Sequence, residues 1–328
     1  MRYLTRAETA AMIEPDTLRR AVGQAMVELS AGRVSMPPRV AATREDPIGL
    51  MAVMPAYVPA LGAMATKVVN VFPGNAARDL PTHLALVLLV EPETGEPIAL
   101  LDGDEITAAR TAAGSALSAE HLAVPDAATL TIVGTGVQAR SHAHAVSRVR
   151  SFTEVRVAGR DPAKAATLAA ALDDELDASV IGATSIEAAC VGADVVCATT
   201  DASTPVLRRE WLGPGTHVTS VGFAAGGPEI DGATVADAFL VVESRASAFS
   251  GYPVGTHDLR EPFEAGLIDE THVRAELGEL VDGTVAGPDD STQLTLYKSA
   301  GVAVQDAAAA KLVHDAALAA GVGVDLER

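Results

Sequence analysis

The feature that most constrains this chain is a short, mostly apolar run that is followed directly by two glycines one residue apart. Thr129-Leu-Thr-Ile-Val133 leads directly into Gly134-Thr-Gly-Val-Gln-Ala139. A short continuous apolar run is typical of a strand buried on both faces of a parallel sheet. Gly134 permits a tight turn, Gly136 lets the backbone approach a pyrophosphate, and Ala139 keeps the following helix close to the strand. The pattern therefore predicts a dinucleotide-binding loop.

The segments on either side of this loop predict two kinds of sheet. After Pro125, strands alternate with helical segments, which indicates a parallel sheet in a doubly wound domain. From about 39 to 101, apolar and polar residues alternate between turn signals, which is typical of antiparallel strands. The predicted parallel strands are Thr129–Val133, Glu154–Ala158, Ala178–Gly182, Asp194–Ala198, His217–Val221 and Ala238–Val242.

These patterns predict an α/β chain with two domains. A doubly wound Rossmann domain is expected over 125–299. A second, α+β domain is expected to form from both chain ends, 1–124 and 300–328. The chain is predicted to become helical again after residue 291. No strand accompanies the last predicted helix, so it is expected to pack back on the N-terminal domain.

Composition argues against nucleic acid and membranes as partners and bears on the cellular compartment. The chain carries 24 Lys and Arg against 43 Asp and Glu, a formal charge of −19. Such a surface repels phosphate backbones, so neither nucleic acid nor an anionic membrane is an expected partner. Cys190 and Cys197 form no CxxC pair, which argues against a disulfide framework or a zinc site. No metal is expected. The acidic N-terminal segment is unlike a signal peptide, and we expect a cytoplasmic protein.

The end of the second parallel strand bears on which dinucleotide binds. An acidic residue there would bind the ribose 2′-hydroxyl of NAD. This chain has Gly159-Arg160-Asp161 at that place. Arg160 can pair with a 2′-phosphate, and Asp161 is explained as a helix cap. The sequence thus favours NADP(H), while NAD(H) and a merely solvated Arg160 stay open.

Three cations stand among apolar residues in the N-terminal region. Arg39 follows two prolines, Lys67 lies in Met64-Ala-Thr-Lys-Val-Val-Asn, and Arg110 lies in Ile106-Thr-Ala-Ala-Arg-Thr-Ala-Ala. A buried charge is costly unless it is paired. A substrate carboxylate would supply a partner, and internal ion pairs are the alternative.

At this point the sequence resembles the ornithine cyclodeaminase/μ-crystallin family. The matching segments run through most of the chain, and the Arg-Thr-Ala-Ala and Lys-Ser-x-Gly segments are the most specific. They are Pro38-Arg39-Val, Lys67-Val-Val-Asn70, Leu80-Pro-Thr-His83, Leu101-Asp-Gly, Thr107-Ala-Ala-Arg-Thr-Ala-Ala, Gly134-Thr-Gly-Val-Gln138, Trp211-Leu-Gly-Pro-Gly, Leu296-Tyr-Lys-Ser-Ala-Gly and Gln305-Asp306.

The resemblance implies an NAD(P)-dependent oxidoreductase that acts on C–N bonds in amino-acid metabolism and assembles as a homodimer. It also implies that the domain from both chain ends, 1–124 and 300–328, binds the substrate and forms the dimer. It implies that Arg39, Lys67 and Arg110 hold a substrate carboxylate beside the nicotinamide. Family positions that line the cofactor match Thr82, Thr111, Val137, Gln138, Thr200, Val221 and Ser299, in addition to Gly134, Gly136 and Arg160.

Two departures from the family pattern bear on the reaction. The catalytic aspartate of ornithine cyclodeaminases matches Ala224 here, and an acid that resembles the ligand for the substrate's amino groups should fall near Ala52. Alanine neither carries a proton nor binds an ammonium group. Ornithine cyclodeamination is therefore disfavoured. The expected activity is reduction of a small cyclic ketimine carboxylate, such as pyrroline-2-carboxylate to proline, with Lys67 as the proton donor if one is needed.

Two alternatives stay open at this stage. One is an amino-acid dehydrogenase of the alanine type or an opine-like enzyme, which ammonia dependence would distinguish. The other is a non-catalytic protein that binds NADPH and a small carboxylate. Such a protein would bind both ligands without oxidising NADPH on any imine.

Overall fold

The computed structural model describes residues 1–45 and 48–327. Positions 46, 47 and 328, which fall inside the predicted ranges 1–124 and 300–328, lie outside the described residues. The strands are β1 (Arg2–Leu4), β2 (Val40–Arg44), β3 (Gly49–Val58), β4 (Ala63–Val71), β5 (His83–Val90), β6 (Pro97–Asp102), β7 (Thr129–Val133), β8 (Glu154–Ala158), β9 (Ser179–Gly182), β10 (Val195–Ala198), β11 (His217–Ser220), β12 (Phe239–Val242), β13 (Val273–Glu276), β14 (Thr295–Lys298) and β15 (Val324–Asp325). The helices are α1 (Arg6–Ala11), α2 (Pro15–Ser30), α3 (Gly103–Leu122), α4 (Val137–Val146), α5 (Pro162–Asp173), α6 (Ile186–Cys190), α7 (Gly232–Asp237), α8 (Arg245–Ala248), α9 (His257–Glu264), α10 (Leu277–Val281) and α11 (Ala303–Ala320).

One compact unit is built from both ends of the chain, Met1–Arg110 and the segment from Val302 onward. Its seven-stranded sheet has the order β15-β1-β6-β5-β4-β3-β2. The β1 and β6 strands pair in parallel, and the other neighbours are antiparallel. Helix α11 packs on β3, β4 and β5 and against α2, so one face of the sheet is covered by helices. We call this the N-terminal unit.

The second unit, Thr111–Gly301, is a doubly wound domain, and we call it the dinucleotide unit. Its eight strands have the order β13-β12-β14-β11-β10-β7-β8-β9, and all neighbours pair in parallel. The order in which strands are added reverses between β7 and β10. From β7, the strands β8 and β9 follow on one side, and β10 and all later strands lie on the other side. In open α/β sheets, ligands bind outside the carboxyl ends of the strands at such a reversal. The predicted fold class, a Rossmann domain with an α+β domain from both chain ends, is confirmed.

The sequence interpretation missed two strands of the dinucleotide unit. The segment after residue 291 was expected to be helical, but β14 pairs with β11 and β12 inside the sheet. All four residues of β14 are buried. Its partners lie far away in the sequence, so four residues beside an Ala-rich helix carried no local signal of a strand. The β13 strand, which pairs with β12, was missed for the same reason.

The division between the two units falls inside α3. It lies between Arg110 and Thr111, whereas the sequence predicted a boundary near 124. The second division lies between Gly301 and Val302, close to the predicted change at 299 to 300. Helix α3 thus supplies Arg110 to the N-terminal unit and Thr111 to the dinucleotide unit.

Candidate active site

The N-terminal unit buries a lysine, an arginine and an aspartate side by side. Lys67 lies on β4, Arg110 on α3 and Asp306 on α11, and each side chain is at most 6% exposed. The Lys67 Nζ atom lies 2.9 Å from Asp306 Oδ2. Arg110 Nε donates to Asp306 Oδ1 at 3.0 Å, and its Nη1 donates to Gln305 Oε1 at 3.0 Å. The carboxylate therefore bridges the two cations.

The alternation of β4 explains why a lysine is buried here. Ala65, Lys67 and Val69 are buried on the sheet face that α11 covers, whereas Thr66 between them is half-buried on the other face. Asp306 lies in the first turn of α11. A carboxylate at this end of a helix is stabilised by the helix dipole. Strand and helix together place the carboxylate where Lys67 needs a counter-ion.

The environment changes the acid–base properties of this pair. Burial, together with the charges of Arg110 and Arg39, lowers the pKa of Lys67 from 10.5 to about 8, although Asp306 acts in the opposite direction. Burial alone would raise the pKa of Asp306, but Lys67 and Arg110 hold it below its ordinary value. At neutral pH the lysine is protonated and the aspartate is ionised. Lys67 can release its proton near physiological pH.

The cationic cluster, defined as Lys67, Arg110 and Asp306, carries excess positive charge. Two cations and one carboxylate give a net charge of +1. The internal ion pair that the sequence left as an alternative exists, because Asp306 contacts both Lys67 and Arg110. One carboxylate does not neutralise both cations. The cluster can therefore still accept one small carboxylate.

The glycine loop of the dinucleotide unit has the geometry that a pyrophosphate requires. Gly134 has a φ of 133°, and a Cβ there would lie 2.5 Å from Thr199 Oγ1, so only glycine fits. Gly136 caps α4 without a side-chain hydrogen bond, and a Cβ there would meet nothing within 4 Å. The space beside Gly136 at the start of α4 is thus open, while Ala139 is fully buried. A phosphate group fits this space.

The end of β8 carries no acid next to this loop. A Cβ on Gly159 would lie 3.0 Å from the Thr135 methyl group, so the two turns are in contact. Arg160 follows with an exposed side chain. The Asp161 side chain accepts from the Ala163 amide at 2.9 Å as the cap of α5, as the sequence predicted. The local chemistry lacks a partner for a 2′-hydroxyl and offers a cation for a 2′-phosphate.

Most of the predicted cofactor positions lie in the dinucleotide unit. Thr200, Val221 and Ser299 follow the carboxyl ends of β10, β11 and β14, which are neighbours in the sheet. Val137 and Gln138 begin α4. Thr111 is buried in α3 of the same unit. Thr82 belongs to the N-terminal unit, before β5.

Several functional groups were missed by sequence reasoning. Asp306 was noted as part of the Gln305-Asp306 match, yet no role was assigned to it. Glu243 is another case, because its carboxylate accepts from Ser299 Oγ at 2.9 Å and from the Ala300 and Gly301 amides at 2.8 and 2.7 Å. It thereby fixes the turn that carries Ser299. Only three-dimensional proximity reveals these partners.

Two positions where the family pattern would place an acid are alanines in this chain. Ala52 is 2% exposed on β3, paired with Val69 of β4. It shares the helix-covered face of the sheet with Lys67. Ala224 lies in the loop after β11 and is partly exposed. Neither alanine can bind an amino group of a diamino acid.

The described residues contain neither a candidate metal site nor a candidate membrane-spanning helix. Within 1–45 and 48–327, no group of three or more His, Cys, Asp or Glu side chains is arranged to hold a metal ion. None of the helices in these ranges combines the length and apolar character needed to cross a membrane.

The fold and its glycine loop define a protein of the Rossmann dinucleotide-binding class. More particularly, the chain belongs to the ornithine cyclodeaminase/mu-crystallin family, whose model matches residues 2–321. The resemblance found in the sequence is thus confirmed.

Two curated relatives cover most of the chain. It is 35% identical over 305 residues to a Delta(1)-pyrroline-2-carboxylate reductase of Bacillus cereus, which covers 92% of each chain. It is 37% identical over 287 residues to the ketimine reductase mu-crystallin of Rattus norvegicus, with 87% of this chain and 86% of the relative covered.

Two solved structures are similar over nearly the whole chain. The Thermococcus litoralis Delta(1)-pyrroline-2-carboxylate reductase in complex with NADH and L-proline has a TM-score of 0.95 and 35% identity, covering 99% of this chain and 100% of that one. An archaeal alanine dehydrogenase dimer with bound NAD has a TM-score of 0.91 and 31% identity, covering 100% and 99%.

Proposed function

We propose that this protein is an NAD(P)H-dependent reductase of a small cyclic ketimine carboxylate, with pyrroline-2-carboxylate as the simplest substrate and proline as its product. The observation that carries the proposal is the cationic cluster, which is buried, positive by one charge and free of an acid at Ala52. It suits a substrate with one carboxylate and no distal amino group. The pyrroline-2-carboxylate reductase relatives support the same assignment.

The chemistry needs little acid catalysis. A cyclic ketimine that is protonated at nitrogen has an electrophilic carbon beside its carboxylate. A reduced nicotinamide dinucleotide, held at its pyrophosphate by the loop of Gly134 and Gly136, would supply the hydride that reduces the C=N bond. The products are the cyclic amino acid and the oxidised dinucleotide. Arg39 and Arg110 hold the carboxylate, and this fixes the orientation of the imine carbon.

Lys67 has a second role in this proposal. When the imine arrives unprotonated, the Lys67 ammonium donates the proton to the imine nitrogen. Its pKa of about 8 makes this transfer easier than for an ordinary lysine. Replacement of Lys67 by Ala should lower kcat at least about 100-fold at a pH where the imine arrives unprotonated. Unchanged turnover with intact cofactor binding would exclude this role.

NADP(H) is the proposed physiological cofactor. Arg160 is exposed at the end of β8, and Gly159 stands where an acid would select NAD(H). The glycine loop itself serves either dinucleotide, because both carry the same pyrophosphate. NADH is expected to work less efficiently.

A second copy of the chain is the proposed partner. The face of the N-terminal sheet opposite α11 exposes Met51, Met64, Leu84 and Leu86, each 38–45% exposed. Met51 and Leu84 both pair with Asn70, so they flank it on neighbouring strands. Such a patch on a water-soluble protein marks an interface. Sedimentation velocity should show a dimer that Leu86→Asp dissociates and Leu267→Asp, in the dinucleotide unit, does not.

The proposed compartment is the cytoplasm. Cys190 and Cys197 are both buried and unpaired, and burial raises the pKa of the Cys190 thiol to about 12. Thiols kept reduced without a disulfide partner are usual in a reducing compartment.

A second candidate is an alanine-type dehydrogenase, which the alanine dehydrogenase structure favours. Initial rates of NADPH and NADH oxidation distinguish the two. Pyrroline-2-carboxylate and piperideine-2-carboxylate should be reduced without ammonia, whereas pyruvate should require ammonia and react slowly. Fast turnover only with pyruvate and ammonia would instead establish the dehydrogenase. Cofactor binding without any oxidation would indicate a binding protein.

A further inference from the structure

A buried carboxylate joins the ends of two neighbouring strands in the dinucleotide unit. Glu229 is 1% exposed. Its Oε1 accepts from the Thr200 amide at 2.5 Å and from Thr200 Oγ1 at 2.8 Å. Its Oε2 accepts from Ser220 Oγ at 2.8 Å and from the Gly222 amide at 2.9 Å. One oxygen thus binds Thr200, which follows β10. The other binds Ser220, the last residue of β11, and Gly222, two residues further on.

This close approach depends on a glycine. A Cβ at position 222 would lie 2.6 Å from the Glu229 carboxyl group, so any other residue would push the carboxylate away. The backbone of Glu229 is also held, because its amide and that of Ile230 donate to Asp258 Oδ1 at 2.7 and 3.0 Å. The side chain therefore has little freedom to move.

A lysine completes the network. Lys298 at the end of β14 lies 2.9 Å from Asp258 Oδ2, and its Nζ donates to Ser220 Oγ and to the Gly222 carbonyl at 2.9 Å each. Burial raises the pKa of Glu229, while Lys298 acts in the opposite direction. The network thus links the ends of β10, β11 and β14 through buried, mutually paired charges.

All four acceptor positions of the Glu229 carboxylate are used by donors of its own unit. A carboxylate has about four lone-pair sites. Glu229 therefore has none left for a substrate and does not replace the acid missing at Ala224. What it controls is the relative position of two strand ends at the carboxyl edge of the sheet, beside the reversal where such folds bind ligands.

We propose that Glu229 is a positioning residue for the nicotinamide dinucleotide, because it fixes Thr200 and the Ser220–Gly222 segment, and with them two cofactor-lining positions, Thr200 and Val221. The inference rests on the proposed function, since it assumes that these positions contact the cofactor. Glu229 acts through the backbone and touches neither cofactor nor substrate.

The test is cofactor affinity in the absence of substrate, measured by titration of NADPH fluorescence. In Glu229→Gln one oxygen becomes an NH₂ group, so either the Gly222 amide or the Thr200 amide loses its acceptor. We expect the Kd for NADPH to rise about ten-fold in Glu229→Gln and further in Glu229→Ala. The KM for the imine at saturating NADPH should stay within about two-fold of the wild-type value, because the cationic cluster is unchanged.

A matched control lies at the opposite edge of the same sheet. Asp194 Oδ2 accepts from the Ala128 and Thr129 amides at 2.8 and 2.9 Å, at the amino ends of β7 and β10. Asp194→Ala removes the acceptor of both amides and should lower the Tm while leaving the Kd unchanged. An unchanged Kd in a folded Glu229→Gln protein, or a rise in Asp194→Ala equal to that in Glu229→Ala, would overturn the positioning role.

Two further arms keep the outcomes distinct. If Glu229→Gln does not fold, Ser220→Ala removes a single donor to the carboxylate and should raise the Kd about three-fold, and an unchanged Kd there contradicts the proposal. If the wild-type protein binds neither NADPH nor NADH, the proposed function itself fails. If it binds NADPH but reduces no imine, the affinity test of Glu229 still decides its role.

Discussion

The Lys67 ammonium and the Asp306 carboxylate form a buried ion pair between residues that are 239 positions apart in the sequence. The pair joins β4 to α11, and so joins the N-terminal half of its unit to the segment that returns from the C-terminal end. Loss of one partner of a buried pair leaves an uncompensated charge. Asp306 therefore sets both the charge of Lys67 and the place where a substrate carboxylate can bind.

Replacement of Asp306 by Asn should change the pH dependence of the reaction. The variant keeps the shape of the side chain but removes the charge that opposes the lowering of the Lys67 pKa. The alkaline limb of kcat/KM for imine reduction should move to lower pH by about one unit, which is about ten-fold in rate on that limb. Asp315→Asn, an exposed change on the same helix, serves as the control. An unmoved limb in Asp306→Asn would contradict this role.

The wild-type enzyme should lose activity as the pH rises through about 8. Lys67 is protonated below that value and neutral above it. The neutral form neither donates a proton nor attracts a carboxylate, so kcat/KM should fall about ten-fold per pH unit above the pKa. Lys67→Arg, which stays charged, should abolish the fall while lowering kcat. A wild-type profile that is flat from pH 7 to 9.5 would be inconsistent with this assignment.

Arg160 should determine the choice between the two dinucleotides. Arg160→Ala removes an exposed cation that is expected to pair with the 2′-phosphate. The KM for NADPH should rise about ten-fold, because a charge-assisted hydrogen bond at an exposed site is lost, whereas the KM for NADH should not change. Arg274→Ala, an exposed arginine on β13 at the opposite edge of the sheet, is the control. Equal effects on both dinucleotides would argue against the 2′-phosphate contact.

Buried His142 should make the fold sensitive to acid. The Gln138 carbonyl accepts from Nδ1 at 2.7 Å, so Nε2 is the acceptor for Ser115 Oγ at 2.9 Å and the ring is neutral. Burial lowers the pKa of His142 from 6.5 to about 4. Between these values the unfolded chain binds a proton that the folded chain does not, so stability falls as the pH decreases below 6.5.

The measurement for this effect is urea unfolding of the wild type and His142→Gln at pH 7 and pH 5. The difference between their unfolding free energies should shrink by about 1.4 kcal/mol for each pH unit below 6.5. A difference that does not change with pH would mean that the pKa of His142 is not lowered in the folded protein.

The parts of this protein that could be predicted from sequence are those with local signals. The turn at Gly134, the cap at Asp161 and the pairing of strands with helices depend on neighbours within a few residues. The two-unit fold followed from them. Lys67 and Arg110 were identified as unusual cations because each stands in an apolar segment, a signal that needs no partner.

The parts that could not be predicted depend on contacts between distant segments. Asp306 could not be recognised as the partner of Lys67 before α11 was placed on β4. The β14 strand and the role of Glu229 were hidden in the same way. Glu229 carries no local signal of its role, because its side chain reaches back to Thr200 and Gly222. Burial of such groups follows from the fold and has no local signature.

The most direct test of the central claim is transfer of a label from the cofactor to the product. The wild-type protein is incubated with pyrroline-2-carboxylate and NADPH that carries deuterium at the transferred position of the nicotinamide, without ammonia. We expect proline that is one mass unit heavier than unlabelled proline, with the deuterium on the carbon that carries the carboxylate. The amount of NADPH lost should equal the amount of proline formed. Unlabelled pyrroline-2-carboxylate recovered in full, with NADPH bound but intact, would contradict it.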